Sequence, residues 1–105
     1  MKIVIQTPNI VAGDNLLAFV REKVSKLEGI SDRLLEARVY LKLNKSDIRE
    51  NKVCEIRGVI PGNDLFTERQ AASFEEATLK AVEALRRQIT DWKKKNEPRS
   101  IADQP

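Results

Sequence analysis

Histidine is absent from these 105 residues, and cysteine, tryptophan and tyrosine occur once each. Without His, the commonest general base and the commonest metal ligand are both missing. The single cysteine, Cys54, can form no internal disulfide, no half of a zinc site and no redox pair. Four glycines in the whole chain leave no glycine-rich phosphate loop. No apolar run approaches the ~20 residues of a membrane span. The opening MKIVIQTPNI lacks both the length and the small-residue cleavage site of a signal peptide. These absences place enzymes last among the function classes. They lead us to expect no cofactor, no bound metal, no small-molecule substrate, no membrane contact and a cytoplasmic address.

What the chain does have is the composition of a folded domain, 41% hydrophobic and 33% charged. At this length folding buries about two-thirds of the unfolded surface, enough for one sheet with helices on it and not for two cores. The net charge is only +3, but it is unevenly spread. Residues 1–85 carry 13 basic and 13 acidic side chains. Residues 86–105 carry six basic ones (Arg86, Arg87, Lys93, Lys94, Lys95, Arg99) against three acidic ones (Asp91, Glu97, Asp103). Cations at a helix end also complement the macrodipole. Six of them in one segment point further, to a polyanionic partner.

The apolar pattern divides the chain into six elements. Lys2–Thr7 alternates Ile3 and Ile5 against Lys2, Val4 and Gln6, a short strand stopped by Pro8. Asp14 is the expected N-cap of a helix reaching about Leu27, with Leu16, Leu17, Val20, Val24 and Leu27 on one face. Gly29 is the expected left-handed residue after it. Glu36–Asn44 sets Ala37, Val39, Leu41 and Leu43 against Arg38, Tyr40 and Lys42, and a loop follows over Lys45–Asn51. Lys52–Ile60 resumes the strand pattern, with Cys54, Ile56 and Ile60 opposed to Glu55 and Arg57. Pro61-Gly62 suits the centre of a type II turn, and Asp64–Ala71 returns as a fourth strand. Ser73-Phe74-Glu75-Glu76 reads as a capping box. It opens a helix to about Lys95, whose inner stripe is Phe74, Thr78, Val82, Leu85, Ile89 and Trp92.

The order β-α-β-β-β-α implies an α+β two-layer sandwich: a four-stranded sheet with two helices on one face. The first crossover is right-handed if its two strands lie parallel in one sheet, and the two short connections imply antiparallel hairpins. The opposite sheet face, with Arg38, Tyr40, Lys42, Glu55 and Arg57, is expected to stay wet. Residues 1–97 form the domain, and residues 98–105 are a short flexible tail.

Lys80, Arg87 and Lys94 recur every seven positions and share one side of the last helix. Arg86 and Lys93 make a parallel row nearer the core stripe. Two rows of cations on a rigid helix suit the phosphates of a nucleic acid, although Glu83 and Asp91 interrupt them. Lys23 and Lys26 on the first helix join this ridge only if the helices lie side by side. Trp92 and Phe74 read as core, Cys54 as unreactive core, and Asp32 and Glu36 as surface charge. Tyr40, among cations on the polar face, could stack on a base.

The run Phe19-Val20-Arg21-Glu22-Lys23-Val24-Ser25-Lys26-Leu27-Glu28, with Asp32-Arg33 after it, resembles the first helix of the ribosome hibernation-promoting factors, also called ribosome-associated inhibitors. Leu85-Arg86-Arg87-Gln88-Ile89 and then Lys93-Lys94-Lys95 resemble their second helix, and Glu36–Asn44 their second strand. The resemblance covers about residues 1–95. It departs where the family often opens the second helix with Asp and Tyr, this chain having Ser73 and Glu75. It departs again at Asp91, where a basic residue is common. The resemblance implies a fold similar to a double-stranded RNA-binding domain. It also implies a place in the mRNA and tRNA channel of the small ribosomal subunit. By position, Lys23, Lys26, Arg87, Lys93 and Lys95 become rRNA-contact candidates, to which the charge pattern adds Lys80, Arg86 and Lys94. Long family members carry a C-terminal domain that pairs ribosomes, and this chain looks like a short form.

The expected function is therefore a ribosome hibernation factor, a monomer when free, that blocks translation in stressed or stationary cells. Two alternatives stand beside it. One is a stand-alone double-stranded RNA-binding module, and the other a small regulatory protein that binds another protein through its sheet face.

Overall fold

The computed structural model describes residues 1–46 and 48–96. Its elements are β1 (Lys2–Gln6), α1 (Asp14–Ser25), β2 (Glu36–Leu43), β3 (Lys52–Val59), β4 (Leu65–Ala71) and α2 (Phe74–Asn96). The expected tail, residues 98–105, lies outside the described residues. The strands form one sheet in the order β1-β2-β3-β4. β1 runs parallel to β2, with Ile3 opposite Ala37 and Ile5 opposite Val39. β2, β3 and β4 are antiparallel neighbours, with Val39 opposite Ile56 and Ile56 opposite Thr67.

Side chains alternate across a strand, so this register gathers Ile3, Ile5, Ala37, Val39, Leu41, Cys54, Ile56 and Ala71 on one face. Both helices cover that face. α1 contributes Val20 and Val24, followed by Leu27, and α2 contributes Ala77, Thr78, Ala81, Leu85 and Ile89, all buried. Phe74, Val82 and Trp92 are only partly buried, so the contact line of α2 is rotated towards Ala77 and Ala81 relative to the expected stripe. Small residues at the contact let the helix axis come close to the sheet. Gly58 serves the same end: a Cβ there would lie 3.2 Å from Leu34 Cδ1 and 3.6 Å from Leu85 Cδ2.

Several local expectations are corrected. Gly13, not Asp14, is the N-cap of α1, and no side chain caps that end. The Gly13 backbone is extended and its carbonyl accepts the first helical bond, from Leu17 N at 3.1 Å. Asp14 is therefore already helical and acts only as an anion in the first turn. The helix ends at Ser25 rather than Leu27 because its last turn tightens. Leu27 N bonds Val24 O at 3.0 Å and Glu28 N bonds Ser25 O at 3.1 Å, before Gly29 turns with φ of 91°. Ser73 Oγ does accept from Glu76 N at 3.1 Å. The Glu76 carboxylate does not reach back, because it pairs with Lys80 at 3.4 Å. The Pro61-Gly62 turn is as expected, with Asn63 N on Ile60 O at 3.2 Å and Gly62 φ at 84°. The outer sheet face is not uniformly wet, since Val53 is 2% exposed there.

Among the described residues no helix is long and apolar enough to cross a membrane, and no group of three or more His, Cys, Asp or Glu could hold a metal ion. Cys54 is fully buried. Burial pushes its thiol up to about 12, against a smaller opposing effect of the Thr78 hydroxyl, so it stays a protonated core residue.

Leu85 is the side chain of α2 that meets both Gly58 and the centre of the core. Leu85→Ala should lower the unfolding free energy by about 3 kcal/mol, within the 2–5 kcal/mol typical of such cavities. Urea denaturation should show a lower midpoint at an unchanged slope. Val11→Ala, at a fully exposed position, should stay within about 0.5 kcal/mol of the parent.

Candidate nucleic-acid interface

The two helices lie side by side, α1 against β1 and α2 against β3 and β4. Arg21 leans to the β1 side of α1, where its Nη1 donates to Ile3 O at 3.4 Å. The other flank of α1, towards α2, carries Phe19, Lys23 and Lys26. Lys23 Nζ stands 5.4 Å from the centre of the Phe19 ring and 3.6 Å from a Glu22 carboxylate oxygen. Lys26, the C-cap, is exposed. From α2, Lys93 Nζ reaches across and donates to Ile30 O at 2.9 Å, tying the turn after α1 to the end of α2. The side-by-side arrangement that Lys23 and Lys26 needed in order to join the cations of α2 is present.

Apart from Lys93, the cations of α2 fall into two groups. The first group is internally neutralised. Arg86 grips Glu83 with both Nε and Nη2, at 2.9 and 2.6 Å, while Arg87 Nε reaches the same carboxylate at 3.3 Å. Lys80 pairs with Glu76. The second group, Lys94 and Lys95, is exposed and makes no ion pair among the described residues. The Arg86 hydrogen bonds, more than the charge of either arginine, hold Glu83 down at about 2. Arg86 is raised in turn by the same bond. Of the two carboxylates expected to interrupt the ridge, Glu83 does so and Asp91 makes no ion pair among the described residues.

Arg69 also belongs to this surface, and the sequence reading missed it. It lies on the inward side of edge strand β4 and, with Leu79, Lys80, Glu83, Ala84 and Arg87, lines an open groove of about 410 Å³. The available signal was a cation at an inward position of the β4 alternation, between Thr67 and Ala71, which only the margin of a helix layer can leave solvated.

The outer sheet face neutralises most of its own charge. Lys42 lies between Glu55 at 3.0 Å and Glu68 at 3.3 Å, and hydrogen bonding to Glu55 raises it. Arg38 pairs with Glu36. Arg57 sits opposite Arg38, beside the half-exposed Phe66. Tyr40 is half-buried among these groups. On the helix layer, by contrast, Lys26, Lys94 and Lys95 are exposed and make no ion pair among the described residues.

Glu83 gives this surface a pH signature. Its folded pKa is depressed, so the stabilisation it brings is present above the ordinary carboxylate value of 4.5 and lost as pH falls towards about 2. The melting temperature of the parent should exceed that of Glu83→Gln at neutral pH. Circular dichroism melts should show this gap closing between about pH 5 and pH 2. A gap independent of pH would mean that the carboxylate charge contributes nothing.

Four likenesses to known proteins bear on the fold and the family. Residues 3–97 match the family described as Sigma 54 modulation protein / S30EA ribosomal protein. The chain is 30% identical over 87 residues to the ribosome hibernation promotion factor of Deinococcus radiodurans. That match covers 81% of this chain and 45% of the relative, so the chain spans about half the length of the protein it matches. The N-terminal domain of Thermus thermophilus Protein Y superposes with a TM-score of 0.72 at 26% identity, covering 88% of this chain and 99% of that one. A ribosomal subunit interface protein from Coxiella burnetii, 14% identical, superposes with a TM-score of 0.79 over 90% of this chain and 99% of its own, a likeness of fold. The β-α-β-β-β-α sandwich is thus shared with the Thermus thermophilus and Coxiella burnetii structures. The match over residues 3–97 makes this chain a member of the Sigma 54 modulation protein / S30EA ribosomal protein family.

Proposed function

We propose that this chain is a ribosome hibernation factor that binds the small ribosomal subunit in the channel used by mRNA and tRNA. In that place it inhibits translation under stress or in stationary phase. The observation that carries the reading is the pair of adjacent helices whose outer surface gathers cations. Lys23 comes from α1 and Lys26 from its C-cap, and Lys80, Arg86, Arg87, Lys93, Lys94 and Lys95 come from α2. Membership of a family that includes an S30EA ribosomal protein, and likeness to a ribosome hibernation promotion factor, support the same partner.

The mechanism on this reading is steric and not catalytic. A rigid sandwich presents cations to rRNA phosphates and fills space that mRNA and tRNA would need. Each phosphate contact draws its energy largely from release of condensed counterions, so binding weakens as salt rises. The protein is a monomer when free and cytoplasmic, with residues 1–97 as its ribosome-binding domain.

Lys94→Ala should weaken binding to purified small subunits and lower the log–log salt slope by about 1. The Arg87→Ala, Lys93→Ala, Lys94→Ala triple variant should lose more, with its helix retained because Ala is the best helix former. Lys45→Ala, on the β2–β3 loop, and Cys54→Ala, in the core, should still inhibit in-vitro translation. A folded triple variant that blocks translation at parental concentration would defeat the proposal. Sedimentation of the protein with other proteins, apart from ribosomal subunits, would favour a regulatory protein acting through its sheet face.

A further inference from the structure

Arg69 breaks the alternation of its own strand. Thr67 and Ala71, two residues to either side, are buried, while Arg69 on the same face is exposed. Its Nη1 donates to the Glu68 carbonyl at 2.9 Å, and it makes no ion pair among the described residues. Beside it across the groove stand Lys80 and Arg87, with Leu79, 48% exposed, and Ala84 as the apolar lining. Glu83 lines the same groove and holds Arg86 and Arg87 by three short contacts.

We propose that this groove is a subsite for one phosphodiester of an RNA strand, with Arg69, Lys80 and Arg87 as its cations and the Glu83 carboxylate as an internal stand-in that the RNA phosphate displaces. The proposal rests on the RNA-binding reading above and adds to it a residue from the sheet and a competitor from within the chain.

The chemistry of the exchange is balanced. A phosphodiester carries one negative charge over two terminal oxygens, as a carboxylate does, and both fit the planar fork of an arginine. Arg87 therefore loses one such partner and gains another, while Glu83 keeps Arg86 or returns to water. The three cations come from two elements, β4 and α2, so their spacing is fixed by the packing of the helix on the strand. The apolar lining suits the ribose and base edges of a strand better than a small hydrated anion. Because Glu83 competes for Arg87 and Glu76 for Lys80, the subsite binds more weakly than free cations would, and it favours a ligand that brings several phosphates at once.

Binding of the full chain to purified small subunits, measured over a range of potassium chloride concentrations, tests the proposal. Arg69→Ala and Arg69→Gln should each weaken binding several-fold and lower the log–log salt slope by about 1. Glu83→Gln should strengthen binding several-fold and steepen the slope, because Arg87 then meets RNA without a competitor. Lys94→Ala, outside the groove, separates this proposal from the broader one. If Lys94→Ala weakens binding while both Arg69 variants keep parental affinity and slope, the groove is not a subsite although the ridge still binds. Weaker binding by Glu83→Gln would overturn the stand-in role and make Glu83 a residue that positions the arginines. If inorganic phosphate relieved the Arg69 dependence at the ionic strength where chloride does not, the site would be one for small anions and not for an RNA strand. A parent protein that fails to bind small subunits at low salt would overturn both readings.

Discussion

A four-stranded sheet with one apolar face survives in water only if that face is covered, and everything else in this molecule follows from how two helices cover it. The inner side chains of β2 and β3 are mostly small or β-branched: Ala37, Val39, Cys54, Ile56 and Gly58. They leave a shallow surface on which helix ridges can settle closely. α2 meets it with Ala77, Ala81, Leu85 and Ile89, α1 with Val20 and Val24. Close packing of this kind fixes the helices in position and angle, because a dense interior yields little to sliding. It also brings helix side chains over the sheet edges. Arg21 from α1 donates to Ile3 O on β1, and Gln88 from α2 donates to Phe66 O on β4 at 2.8 Å. With Arg69 on Glu68 O, carbonyls on both edge strands are occupied from within, which lowers the tendency of an open sheet to pair with another chain.

Much of the fold was legible because it depends on local periodicity. The alternation in Glu36–Leu43 and the stripe through Val20, Val24 and Leu27 each specify a buried face from neighbouring residues alone. The Pro61-Gly62 turn was legible for a similar reason, since each residue type dictates its own φ. What sequence could not supply were choices settled by distance between elements. The rotation of α2 towards Ala77 and Ala81 depends on how near the helix lies to Gly58, and a pattern of hydrophobicity gives large residues more weight than small ones. Glu76 had two partners within reach, the Ser73 amide and Lys80, and took the second. The cap at Gly13 was decided by where the backbone became helical, not by which side chain had an oxygen to offer.

The cationic surface divides in the same way. The rows on α2 follow from spacing, so Lys80, Arg87 and Lys94 could be placed on one side without a structure. Their joining by Lys23 and Lys26 required the helices to be neighbours, and Arg69 required β4 to lie under the margin of α2. Charge balance within the surface was also hidden. Glu83 looks like a simple interruption in sequence, yet it engages two arginines at once, while Asp91, an equal interruption on paper, engages none of the described residues.

This uneven neutralisation separates cations that are already held from cations that are not. Lys23 is held over Phe19, Lys93 on the Ile30 carbonyl, and Arg86 and Arg87 on Glu83. A side chain fixed before binding has less rotamer freedom to lose, and immobilising a long side chain at an interface costs about 0.5–1.5 kcal/mol. Held cations thus set the geometry a polyanion must match, but each must first release a carbonyl or a carboxylate. Lys94 and Lys95, which make no ion pair among the described residues, have no such partner there to release. On the proposed reading they supply the salt-sensitive attraction that brings a phosphate backbone in. The held group then decides whether that backbone has a spacing the rigid helix pair can accept. A flexible surface with the same net charge would attract RNA equally well and discriminate among shapes far less, which is why the packing of α2 on the sheet bears directly on what the cations can recognise.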